Sequence, residues 1–124
     1  MTQVTTIAGV GLPVGFLDGA ALSSRFYNPD GVAADGGGNV FVADYNNNRI
    51  RRIDWSTRIV STVAGNGTSA EMDGVGLATS FKSPYGLAIL NGSIWVADSW
   101  GGTVRRIGIV MCLSIQTYCF ISLI

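Results

Sequence analysis

The residues with the clearest chemical potential are three oxygen-bearing side chains at alternate positions, Asp44, Asn46 and Asn48. Such a set can bind calcium, and its spacing matches the start of an EF-hand loop. The match ends there, because Arg49 stands where that loop needs a glycine and Trp55 where it needs a glutamate. An aspartate that follows a strand usually accepts hydrogen bonds from nearby backbone N–H groups. We therefore assign Asp44 and Asp98 a structural role in turns, and we predict no metal site and no cofactor.

The basic residues are concentrated in two short runs, Arg49, Arg51 and Arg52 in the first and Arg105 and Arg106 in the second. Arginines on a strand can contact phosphates or acidic peptides. Asp44, Asp54 and Asp98 lie close by and can pair with them, and most such charges are solvated or paired. We favour that interpretation, and we retain Arg49, Arg51 and Arg105 as candidate contact residues.

The tryptophans differ in their sequence context. Trp95 lies within an apolar run and is predicted to be in the core. Trp100 lies in a glycine-rich turn, where we expect an exposed side chain. Because exposed tryptophans are common at the centres of binding surfaces, Trp100 is the better candidate for contact with a partner.

No set of residues in the chain is suited to catalysis. Histidine is absent, which removes imidazole bases, Ser-His-Asp triads and imidazole metal ligands. The loop hydroxyls, such as those of Ser23, Ser24 and Ser56, have no base to activate them. We assign no catalytic residue and predict that this chain is not an enzyme.

The composition favours a globular β-protein. The sequence is 48% hydrophobic and 13% charged, which is enough apolar content for a packed core. The 17 glycines and 3 prolines favour tight turns between short strands over long helices. Eight basic and eight acidic residues balance, which disfavours nucleic acid and acidic membrane surfaces as partners.

An internal repeat organises most of the chain. The corresponding segments are residues 4–9 and 60–65 (VTTIAG and VSTVAG), residues 18–19 and 73–74 (DG in both), Phe26 and Phe81, residues 42–44 and 96–98 (VAD in both), and residues 51–53 and 105–107 (RRI in both). We place the repeats at about residues 4–54 and 60–107, within one domain of residues 1–107.

Each repeat contains short runs with the composition of β-strands. The predicted strands are residues 31–35, 40–43, 49–53 and 58–63 in the first repeat, and residues 86–90, 94–97 and 103–107 in the second. Several of them are apolar at consecutive positions, which indicates a sheet that is covered on both faces. Stacked propeller blades provide that environment. The sequence therefore predicts an all-β fold, a β-propeller fragment of about two four-stranded antiparallel blades.

Residues 29–53 resemble the NHL repeat, in which a Pro-x-Gly-Val/Leu-Ala run precedes Val-x-Val-Ala-Asp and Asn-x-Arg-Ile-Arg-x-Ile. Residues 84–107 keep the proline, the glycine and the VAD run, but have WGGT where the first copy has NNNR. Within these motifs we assign structural roles in turns to Pro29, Gly31, Pro84 and Gly86, as we do to Asp44 and Asp98.

The resemblance implies a propeller that serves as a rigid platform for peptides, RNA or other proteins, although a minority of related propellers are lactonases or lyases. We predict a non-enzymatic scaffold that binds a protein or another ligand, with a protein or peptide as the expected partner. The alternative is a fragment of a lactonase-like hydrolase or lyase whose catalytic residues lie in missing blades. The residues indicate no cellular compartment.

Residues 108–124 form an uncharged, apolar run outside the clear repeat. We favour a spurious or divergent terminus. The alternatives are a membrane anchor of near-minimal length and a fourth strand at residues 109–115. Cys112 and Cys119 match no zinc or redox spacing.

Two blades are too few to close a propeller, because each blade is covered by two neighbours. We therefore expect the remaining blades to lie outside this chain. Without them, each end of the pair exposes an apolar face, which favours association. Residues 1–107 are predicted to aggregate or to assemble head to tail in a ring of about three copies.

Overall fold

The computed structural model describes residues 1–111 and 118–121. In this part of the chain there are strands and three short 3-10 helices, but no α-helix. The strands are β1 (Gly19–Ala20), β2 (Pro29–Ala34), β3 (Asn39–Asp44), β4 (Arg49–Asp54), β5 (Ile59–Ala64), β6 (Pro84–Leu90), β7 (Ser93–Asp98), β8 (Thr103–Met111) and β9 (Tyr118–Ile121). The 3-10 helices are Ala21–Ser23, Tyr45–Asn47 and Gly76–Ala78.

The strands form two antiparallel sheets, which confirms the predicted fold class. In blade 1, β2 to β5 are neighbours in chain order, and β1 adds a short strand beyond β5. In blade 2, β6 to β9 are neighbours in chain order. The chain thus forms two four-stranded blades of a β-propeller, joined by a long connector between β5 and β6.

The main core lies between the two blades. Phe41, Ala43 and Ile50 of blade 1 are buried together with Ile94 and Val96 of blade 2. Because successive side chains of a strand point to opposite faces, the neighbouring residues of blade 1 face the other way. There a second buried cluster forms, consisting of Ala21, Val42, Ile53 and Val60. Blade 1 is therefore covered on both faces, as its consecutive apolar residues predict.

Blade 2 is covered on one face only among the described residues. Trp95 is 39% exposed, whereas Phe41 at the equivalent repeat position is 1% exposed. The prediction that Trp95 is a core residue is therefore wrong. Its apolar strand indicates a buried environment, but its side chain points away from blade 1, to a side where the described residues form no neighbouring sheet.

The end of blade 2 differs from the sequence prediction. The alternative of a fourth strand in the tail agrees with the structure, but not at residues 109–115, because β8 continues to Met111 and the strand paired with it is Tyr118–Ile121. In blade 1, Asp54 ends β4 by accepting N–H bonds from Ser56 and Thr57. Gly108 occupies the position of Asp54 in blade 2 and provides no such turn, so the strand extends.

Residues 112–117 and 122–124 lie outside the described residues. The interpretations of Cys112 and of most of the tail concern these residues and stay predictions. Within residues 1–111 and 118–121, the structure contains no helix with the length and apolar character needed to cross a membrane. The boundary of the domain at residue 107 stays a prediction.

Pro29 and Gly31 lie in β2, and Pro84 and Gly86 lie in β6, rather than in turns as we predicted. Each proline and its glycine lie at the start of the strand, where the pairing with the next strand is irregular. Gly31 is placed at the junction of the blades, where a Cβ atom would collide with the carbonyl oxygen of Tyr85. The glycine is therefore required for the close approach of β2 and β6.

This packing predicts different responses to alanine at the two glycines. Gly31→Ala forces the blades apart and should lower the free energy of unfolding by about 1–3 kcal/mol, as overpacking does. Gly86→Ala is the matched control, because its Cβ would meet only Ala97 Cβ at an ordinary 3.8 Å. Urea denaturation of both variants measures the difference, and equal losses would contradict the assigned role of Gly31.

The turn between β2 and β3 is closed by one carboxylate. Asp35 Oδ1 accepts the N–H groups of Gly37 at 2.8 Å and Asn39 at 2.9 Å, and Oδ2 accepts the Asn39 side-chain amide at 2.7 Å. Partial burial raises the pKa of Asp35, but these hydrogen bonds to its charged form outweigh burial and hold the pKa below its ordinary value. Folding therefore favours ionised Asp35.

The lowered pKa gives a pH prediction. Ionised Asp35 contributes stability that is fully present above the unfolded-state pKa of about 4 and is lost as the pH falls through the lower folded-state value. Asp35→Asn should therefore destabilise the protein at pH 7, and its deficit should shrink as the pH approaches 3. Urea midpoints across this range test the prediction, with exposed Asp30→Asn as the control. A deficit that does not change with pH would contradict it.

Candidate functional site

A buried arginine connects the strands of blade 1 to the segment that precedes them. Arg51 Nη1 donates to Asp44 Oδ2 at 2.6 Å and to the Arg25 carbonyl oxygen at 3.0 Å. Nη2 lies 2.7 Å from Asp18 Oδ1 and donates to the Leu17 carbonyl oxygen at 2.8 Å. Nε donates to Asp18 Oδ1 at 2.9 Å. These contacts match the five N–H donors of a guanidinium group.

The same network recurs in blade 2. Arg105 Nη1 lies 3.3 Å from Asp98 Oδ2 and donates to the Ser80 carbonyl oxygen at 2.7 Å. Nη2 donates to Asp73 Oδ1 at 2.8 Å and to the Met72 carbonyl oxygen at 2.9 Å. The partners occupy the same repeat positions as those of Arg51, so this interaction belongs to the repeat itself.

An aromatic ring completes each network. The guanidinium carbon of Arg51 lies 4.7 Å from the centre of the Phe26 ring, and that of Arg105 lies 4.7 Å from the centre of the Phe81 ring. Phe81 is also part of the core between the blades. Arg105 therefore links its own sheet to the segment that packs against blade 1, whereas the segment held by Arg51 packs against blade 1 itself.

The two aspartates at the ends of β3 and β7 are structural, but their partners are more distant than predicted. We expected Asp44 to accept N–H groups two or three residues ahead. Its Oδ1 instead accepts the N–H of Tyr27 at 2.8 Å, and its Oδ2 accepts the side-chain amide of Asn47 at 2.8 Å. Asp98 accepts the N–H of Lys82 at 2.8 Å. Each aspartate thus fixes the end of the connector beside its own strand.

The environment of Asp98 perturbs its ionisation. Burial raises the pKa of the Asp98 carboxyl above its ordinary value, and the hydrogen bonds from the Lys82 N–H and Arg105 only partly oppose that effect. The nearby charge of Glu71 acts in the same direction as burial.

The structure separates the candidate arginines by exposure. The side chain of Arg51 is fully buried, and that of Arg105 is 10% exposed and paired with two carboxylates. Arg51 is therefore not available to a partner, and Arg105 has little free surface. Arg49 is partly exposed, donates to the carbonyl oxygens of Asn47 and Asn66, and stacks on Phe16.

The other candidate, Trp100, is 70% exposed and lies at the junction of the two blades. Its Nε1 donates to the hydroxyl oxygen of Tyr45 at 2.7 Å, which connects the β7–β8 turn to the β3–β4 turn. The ring of Tyr45 meets the ring of Tyr85 edge to face, with 6.3 Å between centroids. We call these three residues the aromatic surface.

The backbone holds the aromatic surface in place. The N–H of Trp100 donates to the Lys82 carbonyl oxygen at 3.1 Å, and the N–H of Ser99 donates to the Ser83 carbonyl oxygen at 3.2 Å. Tyr85 is 52% exposed and lies near the start of β6, beside this turn. Exposed aromatic area is thus presented from positions that the fold fixes.

Sequence reasoning assigned no role to several residues that the structure brings into these sites. Asp18 and Asp73 occupy the same position in the two repeats, as do Arg51 and Arg105. This recurrence could have predicted that each aspartate pairs with an arginine. Tyr45 and Tyr85 have no counterparts of the same type in the other repeat, so the repeat gave no signal for them. Among residues 1–111 and 118–121, no group of three His, Cys, Asp or Glu side chains could hold a metal ion.

The buried network predicts a large effect for one substitution. Asp44→Ala removes the closest carboxylate from a fully buried guanidinium and leaves the Tyr27 N–H without its acceptor, so we expect a loss of about 3 kcal/mol in the free energy of unfolding. Urea denaturation measures that loss. Asp98→Ala is the control and should cost less, because Arg105 is partly exposed and its contact with Asp98 is longer.

A loss below about 1 kcal/mol for Asp44→Ala would mean that Asp18 alone compensates Arg51, contrary to this prediction. Calcium titration by calorimetry provides an independent check of the structural role. Tight binding by the wild type that disappears in Asp44→Ala would instead assign Asp44 to a metal site.

Sequence comparisons place part of this repeat in a known family. The NHL repeat profile matches residues 26–53. The chain is 33% identical over 91 residues to protein SUPPRESSOR OF QUENCHING 1, chloroplastic, of Arabidopsis thaliana, and 37% identical over 89 residues to NHL repeat-containing protein 2 of Bos taurus. These alignments cover 73% and 68% of this chain, which spans only 9% and 12% of the two relatives.

Solved structures share the fold. A structural genomics protein of unknown function from Bacteroides thetaiotaomicron superposes with a TM-score of 0.77 at 27% identity, covering 91% of this chain and 26% of its own length. An auxiliary nutrient binding protein from Bacteroides ovatus superposes with a TM-score of 0.64 at 21% identity, covering 81% of this chain and 27% of its own length. The chain therefore belongs to the NHL repeat family of β-propeller proteins, and its two sheets are blades of this fold.

Proposed function

We propose that these two blades act as a non-enzymatic scaffold that binds an exposed segment of another protein at the aromatic surface. The observation that carries the proposal is the cluster of Tyr45, Tyr85 and Trp100 across the blade junction. Tyrosine and tryptophan supply large contact area with few rotatable bonds, and they are enriched at binding hot spots. A peptide with apolar or aromatic side chains fits this chemistry.

The rigidity of the surface supports the same proposal. Trp100 belongs to blade 2 and Tyr45 to blade 1, and they are joined by a hydrogen bond and by the buried core beneath them. A ligand that contacts both therefore meets a surface that is largely ordered before binding. Such preorganisation reduces the entropic cost of association.

A polyanion fits the surface less well than a peptide. The guanidinium of Arg51 is buried, and that of Arg105 is occupied by Asp73 and Asp98. Phosphate contacts need accessible cationic groups, and the formal net charge of the chain is zero. We therefore propose a protein partner rather than a nucleic acid.

The non-enzymatic part of the proposal rests on how the carboxylates are used. Asp18, Asp44 and Asp98 each accept a hydrogen bond from an arginine side chain and another from a backbone N–H, and these contacts fix the fold. A general acid or base needs a carboxylate within reach of a substrate. In this chain we assign these three to structure, and we assign chemistry to none of them.

A peptide display library selected on the full chain tests the aromatic surface. Peptides that bind the wild type should lose affinity for Trp100→Ala by about thirty-fold, which corresponds to about 2 kcal/mol for a hot-spot aromatic residue. Titration calorimetry or fluorescence polarisation with individual synthetic peptides gives the dissociation constants.

The matched control is Trp55→Ala. Trp55 is also exposed, at 46%, but it lies in the β4–β5 turn and stacks under Arg58 at the opposite ends of the strands. Its loss should leave peptide affinity unchanged. Selected peptides that bind Trp100→Ala as tightly as the wild type would place the binding site elsewhere.

A further inference from the structure

The chain contains two Asn-Gly dipeptides, Asn66-Gly67 and Asn91-Gly92. An asparagine before a glycine loses its side-chain amide more readily than before other residues, because glycine has no side chain to shield the backbone nitrogen that attacks. Both asparagines are exposed, so water reaches both. The two dipeptides are chemically identical, and only their surroundings distinguish their reactivity.

This loss of the amide requires a change of conformation. The backbone nitrogen of the glycine must approach the side-chain carbonyl carbon of the asparagine, and the peptide and the side chain must both rotate to allow it. Any hydrogen bond that fixes either group has to break first, which raises the barrier. The contacts around each dipeptide therefore determine its rate of reaction.

The Asn66-Gly67 dipeptide is fixed by several contacts. Asn66 Oδ1 accepts the N–H of Thr68 at 2.8 Å, and the Asn66 carbonyl oxygen accepts a hydrogen bond from Arg49 Nη2 at 2.9 Å. The N–H of Asn66 donates to the Thr79 carbonyl oxygen at 2.9 Å. The Arg49 guanidinium also occupies the space beside Gly67, where a Cβ atom would collide with it. The side chain and the backbone of Asn66 are both held.

The Asn91-Gly92 dipeptide forms the tight turn between β6 and β7. Leu90 pairs with Ser93, so the turn consists of these two residues alone. Asn91 has a φ of 49° and Gly92 a φ of 71°, the positive values that such a turn requires.

The surroundings of this turn are open. In the part of the chain that the structure describes, the Asn91 side chain makes no hydrogen bond. Chain neighbours apart, no described atom lies within 4 Å of the position that a Cβ atom on Gly92 would take. The conformational change that Asn66 resists is therefore accessible to Asn91.

We propose that Asn91 is a site of spontaneous deamidation, whereas the contacts of Asn66 protect it. The Gly92 nitrogen loses its proton to water and bonds to Asn91 Cγ, and the side-chain nitrogen leaves as ammonia. Water then opens the resulting succinimide ring at either of its carbonyl groups, which gives aspartate or isoaspartate. Overall, water is consumed and ammonia is released, and no atom is oxidised or reduced.

The two products have different effects on the turn. Aspartate keeps the length of the backbone and tolerates a positive φ, so the hairpin persists with an added negative charge. Isoaspartate carries the main chain through Cβ, which adds a methylene group to a turn of minimal length. The pairing of Leu90 with Ser93 is then lost, and the end of the hairpin opens. The exposed isoaspartyl carboxylate is a substrate for methyltransferases that use S-adenosylmethionine.

The site is separate from the proposed peptide-binding surface. Tyr85 lies near the start of β6 and Trp100 follows β7, whereas Asn91 lies between the end of β6 and the start of β7. Deamidation and peptide binding therefore concern opposite ends of these strands, and neither proposal depends on the other.

Peptide mapping of the full chain during storage at neutral pH under reducing conditions tests the proposal. Trypsin cleaves after Arg58, Lys82 and Arg105, which places Asn66 and Asn91 in different peptides. Mass spectrometry measures the fraction of each asparagine converted to acid. We expect conversion of Asn91 to be about tenfold faster than that of Asn66, because several hydrogen bonds must break at Asn66.

Two controls separate the effect of the structure from that of the dipeptide. In concentrated urea both dipeptides are unfolded, and they should convert at similar rates. Arg49→Ala removes the hydrogen bond to the Asn66 carbonyl oxygen and the packing beside Gly67. Conversion of Asn66 should then rise several-fold, and that of Asn91 should not change. Circular dichroism verifies that this variant is folded.

Isoaspartate is measured separately, with labelled S-adenosylmethionine and an isoaspartyl methyltransferase. The label should accumulate in the peptide of residues 83–105 and not in that of residues 59–82. Equal conversion of the two asparagines in the folded chain would overturn the proposal. So would an Asn91 that converts in urea but stays intact in the folded chain, because the turn would then protect it.

Discussion

The fold depends on one guanidinium group in each blade, which is fully buried at Arg51 and largely buried at Arg105. Removing such a charge from water costs several kcal/mol unless its N–H groups are all matched. Arg51 meets that requirement with two aspartates and two carbonyl oxygens that come from three different parts of the chain. The sheet and the irregular connector therefore become ordered together, since neither alone satisfies the arginine.

This constraint also determines how the blades are joined. The connector that each arginine holds carries the phenylalanine beneath it, and Phe81 packs in the core shared by both sheets. Asn48 adds a polar contact at the same junction, because its side-chain oxygen accepts the N–H of Ser83 at 3.0 Å. The orientation of blade 2 relative to blade 1 thus depends on the packing of Phe81, which belongs to the repeat, and on Asn48, which is specific to blade 1.

The sequence predicts the strands well and the partners of individual side chains poorly. The strands are fixed by local signals, namely β-branched runs between glycine- and asparagine-rich turns, and each is confirmed in blade 1 to within about two residues. The pairing of an arginine with nearby Asp44 was predicted, and Arg51 makes it. The contacts of this pair with Tyr27, Arg25 and Leu17 were not predicted, because those residues lie 17 to 34 positions away in the sequence. The burial of Trp95 was predicted wrongly, because it depends on a neighbouring sheet rather than on its own strand.

The differences between the two repeats are as informative as their similarities. At the turn where blade 1 has Asn48, which docks the next blade, blade 2 has Gly102, which has no side chain for that contact. The same turn gains Trp100 in the place of Asn46, and its indole is exposed. In blade 1 this turn contacts the next blade through Asn48. In blade 2 the equivalent turn presents the aromatic side chain of Trp100 to solvent. The two turns therefore differ in their contacts, whereas the arginine network beside them is the same in both blades.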